Sequence, residues 1–176
     1  MTLFLLLGIL LLLILGINRN KLVHMIGPNH RIVKKLSSYH WSQSPWWSGL
    51  FLFVLNGLLF GATLLILSGL SFLMIPYIHL LIMVGAVVIS LVAWIIVLNA
   101  WNGGKKDRLL RGFIGSSFYL ILSFIFIYMI VTLKPQIPGD DTFMAFIGLV
   151  MAFTVSGVAF ITCFLFTGLF EKKEIH

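Results

Sequence analysis

Charged residues are scarce in this sequence. Asp, Glu, Lys and Arg together make up 10% of the 176 residues, whereas 60% are hydrophobic and the mean hydropathy is +1.10. A soluble domain carries about 25% charged residues. The composition therefore excludes a soluble globular protein and predicts an integral membrane protein, with a single membrane domain over residues 1–176.

The sequence also has only one cysteine, Cys163, which lies in an apolar stretch. A single thiol cannot form a disulfide within the chain or a cluster of thiolate metal ligands. A thiol in an apolar helix is usually inert packing. We therefore expect neither thiol redox chemistry nor a cysteine-based metal site.

Motifs that carry enzyme chemistry are absent as well. The sequence contains no glycine-rich nucleotide loop and no HExxH pair, and its apolar stretches supply no Ser-His-Asp arrangement. The interiors of the predicted spans contain no Asp, Glu, Lys or Arg, the residues that mark ion and proton pathways at membrane depth. We therefore expect a protein that is not an enzyme and that holds no cofactor and no metal ion.

Long apolar stretches are what the sequence does have. They predict an all-α, polytopic transmembrane bundle of five spans, at about residues 3–17, 48–68, 76–101, 112–133 and 142–170. A span needs about 20 apolar residues, so the first stretch is short. A bundle of four spans, with residues 3–17 in the membrane interface, is the alternative.

Basic residues are concentrated on one side of this topology. Eleven of the twelve Lys and Arg residues fall in the connection 18–47, the loop 102–111 or the C-terminal tail, and only Lys134 falls on the other side. Cytoplasmic loops carry such an excess, which predicts an external N-terminus and a cytoplasmic C-terminus. Composition favours a bacterial plasma membrane. The net charge of +7 is thereby explained without a nucleic-acid partner.

The connection 18–47 contains an amphipathic pattern. Ile32, Val33, Leu36 and Tyr39 recur at helical spacing, and Lys34 and Lys35 fall elsewhere on the helix. This pattern predicts a short helix on the inner membrane surface that meets anionic lipid head groups.

Tryptophans follow this amphipathic stretch. Trp41, Trp46 and Trp47 surround Pro45 just before the second predicted span. Tryptophan prefers the level of the lipid head groups, so these residues are expected at the membrane interface.

Small and polar residues in the second predicted span indicate helix packing. Gly57 and Gly61 form a GxxxG motif, which allows close approach of two helices within the chain or between chains. Asn56 lies beside them, and a buried amide requires hydrogen-bond partners. We expect Asn56 to bond to a neighbouring helix. A second patch of small residues lies in the fourth span, at Gly112, Gly115, Ser116 and Ser117.

His79 lies about one turn into the third predicted span and is the one histidine within any predicted span. It is a candidate ligand for haem or a metal ion, or a candidate quinone contact. The alternative is an interfacial histidine with one face in water. A haem with two histidine ligands needs a second histidine at similar depth, and no other predicted span contains one.

Three functions fit these patterns. The first is association: an accessory or assembly subunit of a membrane complex, or an immunity or regulatory protein, with a membrane-protein partner or a second copy. The second is a small oligomeric transporter or channel with a polar path between spans. The third is a haem- or quinone-linked redox subunit that depends on His79. The polar path of the second function would consist of Asn56, Ser90, Asn99, Ser116, Ser117, Tyr119, Ser123 and Tyr128.

Overall fold

The computed structural model describes residues 30–71, 78–135 and 142–169. These residues are almost entirely helical and include no strand. The predicted first span, residues 3–17, lies outside the described ranges, as do residues 18–29 of the connection 18–47 and the C-terminal tail from residue 170. The elements are helix α1 (Arg31–Ser37), a 3₁₀ turn (His40–Gln43), α2 (Pro45–Ser71), α3 (Ile78–Asn99), α4 (Lys105–Val131) and α5 (Phe143–Phe164), which continues as a π-helical turn (Leu165–Leu169).

Helices α2 to α5 are each long and apolar enough to cross a membrane. Their apolar segments run for 26, 19, 27 and 27 residues, and a span needs about 20. Pro45 opens α2, where the missing N–H removes no helical hydrogen bond. The described part of the chain is therefore a bundle of four candidate transmembrane helices.

Helix α4 lies at the centre of the bundle. It packs along α2 and α5, whereas α3 packs on α2 and on the π-helical turn. We call the end of the bundle with α1, Pro45, Asn99, Lys105 and the π-helical turn the basic end. We call the opposite end, where α3 and α5 begin, the open end.

The two ends differ in burial. The core cluster consists of residues on α2 to α5 and the π-helical turn: Leu52, Trp94, Ile95, Val97, Tyr119, Cys163 and Phe166. Towards the open end, α3 is largely uncovered, and Leu81 and Val84 are 73% and 62% exposed. The bundle is therefore closed near the basic end and spread near the open end.

The chain between α3 and α4 differs from the prediction. Residues 102–111 were expected to form a loop, but α4 already begins at Lys105, with Gly104 as its N-cap. The helix extends beyond the apolar stretch because polar residues continue the same backbone hydrogen bonding. Arg111 is therefore a helical residue, in the second turn of α4.

Helix α1 is attached to the protein at the basic end. Val33 is buried and Leu36 packs against the core, whereas Ile32 and Tyr39 are exposed. The 3₁₀ turn that follows α1 is bonded to the chain just after α3, because the side chain of Gln43 donates to the carbonyl of Ala100 at 3.1 Å. A helix is therefore present where the sequence predicts one, and its residues Val33 and Leu36 face protein. Its position on a membrane surface stays a prediction.

Candidate functional site

Arg111 is the largest fully buried side chain among the described residues. It projects from α4 between the ends of two other elements. Its Nη1 donates to the carbonyl of Val97 at 3.1 Å, and its Nη2 donates to the carbonyl of Thr167 at 2.8 Å. The guanidinium also lies 4.7 Å from the centre of the Trp101 ring. We call these four residues the arginine clamp.

Among the described residues, no carboxylate contacts the buried guanidinium of Arg111. Asp107 is the one acidic residue in the described ranges, and it is exposed. Val97 and Thr167 lie in the last turns of α3 and of the π-helical turn. Carbonyls there have no partner within the helix, and the helix dipole places negative charge at these ends. In the described part of the chain, two helix ends and an aromatic face stabilise the charge.

Two donors in the clamp have no acceptor. Arg111 Nε and Trp101 Nε1 are both buried, and neither has a hydrogen-bond partner among the described residues. Buried polar groups are normally satisfied, so each exception requires an explanation. Arg111 uses two of its five N–H groups on the helix ends. The structure offers no account of the two unpaired donors.

Asn56 connects all four long helices. Its Nδ2 donates to the carbonyl of Gly115 on α4 at 3.1 Å and approaches the sulfur of Cys163 on α5 at 3.5 Å. Its Oδ1 accepts from Trp94 Nε1 on α3 at 2.8 Å. The side chain is fully buried. We call this group the asparagine node; it makes the interhelical hydrogen bonds expected of Asn56.

Glycines allow closest approach near the basic end. A Cβ on Gly112 would lie 2.6 Å from Gly168 Cα, and one on Gly115 would lie 2.6 Å from Leu52 Cγ. Real Cβ atoms do not come so close to a neighbour, so both positions need glycine. Gly49 is similar, because its Cβ would lie 2.8 Å from Ile114 Cβ. The predicted small-residue patch at Gly112 and Gly115 is thus a contact between helices.

The GxxxG glycines have more space. A Cβ on Gly57 would make ordinary contact with Phe118 at 3.4 Å, and one on Gly61 would meet no described atom within 4 Å. Within the described chain, the motif therefore brings no second backbone close to α2. Its face at Gly61 remains accessible from outside the bundle.

The remaining polar residues of the predicted path are separate. Ser123 and Ser156 join α4 to α5 with their hydroxyls 2.7 Å apart. Ser116 and Ser117 donate to carbonyls of their own helix, three residues back. Tyr128 is 68% exposed on the surface. Ser90 and Tyr119, by contrast, both line one cleft. A polar path between the spans stays a prediction.

His79 lies exposed at the start of α3. The described residues include no group of three His, Cys, Asp or Glu side chains that could hold a metal ion. Of the predicted interface residues, Lys34 and Lys35 are exposed on α1, and Trp46 and Trp47 are 66% and 62% exposed at the start of α2. The side chain of Trp41 lies outside the described part of the structure.

An apolar cleft opens between α2, α3 and α5. Its volume is about 440 Å³. Trp94 and Tyr119 form its floor, with their ring centres 6.2 Å apart and their planes at 82°. From there the cleft runs towards Leu67 and Met83 near the open end. These two large rings fill the space between α3 and α4. From the rings towards the open end, α3 diverges from the bundle.

Sequence reasoning missed the role of Arg111. The buried residues of α4 are Arg111, Gly112, Gly115, Ser116, Tyr119 and Ser123. Arg111, Gly115, Tyr119 and Ser123 are spaced by four residues, so they share one helix face. Extending the small and polar face backwards by one turn would have identified Arg111 as a buried residue.

The fold and these contacts define a class: an α-helical membrane protein with four candidate spanning helices. Comparisons with models of protein families, with curated proteins and with solved structures found no match.

Proposed function

We propose that this protein acts by association in a plasma membrane, as an accessory or assembly subunit of a membrane complex or as a regulatory, immunity-type protein. The surface proposed to dock a partner's transmembrane helix, or a second copy, is the face of α2 that contains Gly61. The observation that carries this proposal is the open space around that glycine.

A glycine on an uncovered face favours contact between two helices. In a membrane, helices associate through close van der Waals packing, since lipid is as apolar as the side chains. Leu58 and Leu65, which lie near Gly61 on α2, are 66% and 75% exposed. They would flank a partner helix that approaches the glycine.

Helix α2 is also the least covered of the four. In its most apolar window 11% of the residues are buried, against 22% in each of the other three helices. The polar side chains that could serve chemistry, Asn56 above all, are occupied in holding the bundle together. This distribution supports a role through contact more than a role through a polar path or a cofactor.

The test is purification in a mild detergent followed by mass spectrometry, with a matched pair of variants. Gly61→Leu is expected to abolish recovery of the partner or of the dimer, because a leucine there holds a second helix away. Gly148→Leu is the control. Gly148 on α5 is equally open, with no described atom within 4 Å of a Cβ.

Two results would contradict the proposal. One is recovery of the unaltered protein as a monodisperse monomer without a partner. The other is equal loss of association in both variants, because that outcome would place the contact outside the face of α2.

A further inference from the structure

We infer that one side of helix α1 binds the anionic phospholipids of a membrane leaflet. Ile32 lies at the boundary between head groups and acyl chains, and Arg31, Lys34 and Lys35 lie against the phosphates. The proposed docking face with Gly61 is on α2, so this inference does not depend on the proposed association. Three features carry it: the level of α1 in the bundle, the chemistry of its exposed side and the charge around it.

Helix α1 is held at the level where apolar segments end. The side-chain amide of Gln43 donates to the carbonyl of Ser37, the last residue of α1, at 3.3 Å and to the carbonyl of Ala100 at 3.1 Å. The apolar segment of α3 ends at Asn99, and that of α2 begins at Pro45. In a bilayer that these two helices cross, α1 therefore lies at the level of the lipid head groups.

The exposed side of α1 combines cations with an apolar side chain. The sequence pattern predicts that all the apolar residues of the helix face the membrane, but Val33 and Leu36 pack on the protein. Ile32 is 53% exposed and shares a face with Lys35, three residues further on. Arg31, four residues before Lys35, is exposed beside them. Such a side suits a head-group layer, because the apolar group reaches hydrocarbon while the charges stay at the phosphates.

Aromatic side chains follow at the same end of the bundle. Tyr39 comes directly after α1 and is 45% exposed, and Trp46 and Trp47 in the first turn of α2 are 66% and 62% exposed. Tryptophan and tyrosine prefer the level of the head groups, where each has one apolar and one polar neighbour. A membrane surface therefore suits the cations, Ile32 and these rings together, whereas an acidic protein partner suits the cations alone.

The charge around α1 favours anionic lipids. Seven of the eight Lys and Arg residues in the described ranges lie at the basic end, and Asp107 is the one carboxylate in those ranges. Basic clusters next to membrane spans attract anionic head groups. Residues 3–17 include no acidic side chain, so that segment does not complement the charge of α1. We expect α1 to prefer phosphatidylglycerol, which has a net negative charge, to phosphatidylcholine, which has none.

The test measures which molecules contact position 32. Cys163, the one cysteine of the sequence, is fully buried, so a cysteine introduced by Ile32→Cys can be labelled alone with a fluorophore. The full chain is reconstituted in mixed vesicles that contain spin-labelled phosphatidylglycerol or spin-labelled phosphatidylcholine, or iodide on both sides. We expect the lipid quenchers to act and iodide to have little effect, with several-fold stronger quenching by phosphatidylglycerol.

A label in the middle of α3 provides the matched control. Val88 is 52% exposed there, far from the basic end, so a fluorophore on Val88→Cys should be quenched equally by the two spin-labelled lipids. The ratio between the two lipids at position 32, divided by the ratio at position 88, therefore isolates the preference of α1.

Removal of charge tests the role of the lysines. Lys34→Gln combined with Lys35→Gln should abolish most of the preference for phosphatidylglycerol at position 32. Lys134→Gln, at an exposed lysine of the open end, is the control and should retain it. Salt at 1 M, where the Debye length is about 3 Å, should weaken the preference in the labelled protein without any further substitution. The salt result stays decisive if the double variant does not fold.

Four outcomes would overturn the inference. Equal quenching by the two lipids at position 32 would remove the preference for anionic head groups, and equal effects of the α1 and Lys134 substitutions would remove the role of the lysines. Strong quenching by iodide would place α1 in water. A label that neither iodide nor lipid quenches would mean that protein covers α1. Loss of association in Gly61→Leu with an unchanged lipid preference would support both proposals separately.

Discussion

The basic end and the open end of the bundle are held by different kinds of contact. At the basic end, glycine contacts bring backbones together, and a buried guanidinium joins α4 to the ends of α3 and α5. At the open end, α3 stands away from its neighbours over an apolar cleft. The same four helices thus form a polar, closed end and an apolar, open one.

This difference shows where specificity resides in a membrane bundle. Apolar side chains contact lipid as favourably as they contact each other, so an apolar surface alone does not fix how helices pack. Hydrogen bonds and close backbone contacts do. In the described residues most of them lie between the asparagine node and the basic end, and the Ser123–Ser156 bond lies beyond the node. The open end is left free to contact other molecules.

The largest expected effect is at the arginine clamp. Arg111→Met removes the charge that joins α4 to two helix ends, and leaves the carbonyls of Val97 and Thr167 unpaired. A loss of roughly 3–5 kcal/mol in the free energy of unfolding is expected, because two buried carbonyls each lose a hydrogen bond at about 1–3 kcal/mol. Thermal unfolding in detergent measures it. Lys106→Met, which removes a positive charge at an exposed position of the same helix, is the control.

Arg111→Lys sharpens this prediction. A single ammonium group cannot satisfy two carbonyls in the fork geometry of a guanidinium. The stability of Arg111→Lys should therefore fall between that of the unaltered protein and that of Arg111→Met. If Arg111→Met were as stable as Lys106→Met, the clamp would not hold the basic end together.

Gly112→Ala ranks next. Its methyl group would collide with the backbone at Gly168, which cannot move aside as a flexible side chain does. A loss of roughly 2–3 kcal/mol is expected, the upper part of the usual range for overpacking. Gly148→Ala adds the same methyl group where no described atom lies within 4 Å and should leave thermal unfolding unchanged. Equal unfolding temperatures for the two variants would show that α4 and the π-helical turn are not in close contact.

Asn56→Ala tests the asparagine node. It leaves the Trp94 N–H without its acceptor and removes a donor to Gly115. Hydrogen bonds between membrane helices contribute modestly, so a loss of roughly 1–2 kcal/mol is expected. A double-mutant cycle with Trp94→Phe measures the bond between the two side chains. A coupling energy near zero would show that the bond between Asn56 and Trp94 does not stabilise the packing of α3.

The sequence predicts the helical class because a long apolar stretch has few alternatives to a membrane helix. It also indicates Asn56, since a polar amide within an apolar span requires partners. It could not indicate which glycines are in contact. Gly57 and Gly61 match a known packing motif, yet the closest approaches between helical elements occur at Gly49, Gly112 and Gly115. Contact depends on which helices become neighbours, and that information is not local in the chain.

Arg111 was missed for a related reason. A hydropathy pattern predicts that a span ends at the first charged residue. It therefore assigns KKDRLLR to a loop, although the backbone of this stretch is helical. The carbonyls that compensate the charge come from α3 and the π-helical turn, far away in the sequence. Only the periodicity of the buried face of α4 connects Arg111 with Gly115, Tyr119 and Ser123.

The smallest expected effect lies at the open end. Ala86→Phe adds a ring where the bundle has a cleft, so it should change the free energy of unfolding by no more than about 0.5 kcal/mol, as for a surface position. Gly115→Ala adds far less volume but places it against Leu52 in the closed half. The smaller substitution should therefore destabilise the protein more than the larger one, as measured by thermal unfolding in the same detergent. The reverse order would mean that α3 closes over the cleft, and the contrast between the two ends would disappear.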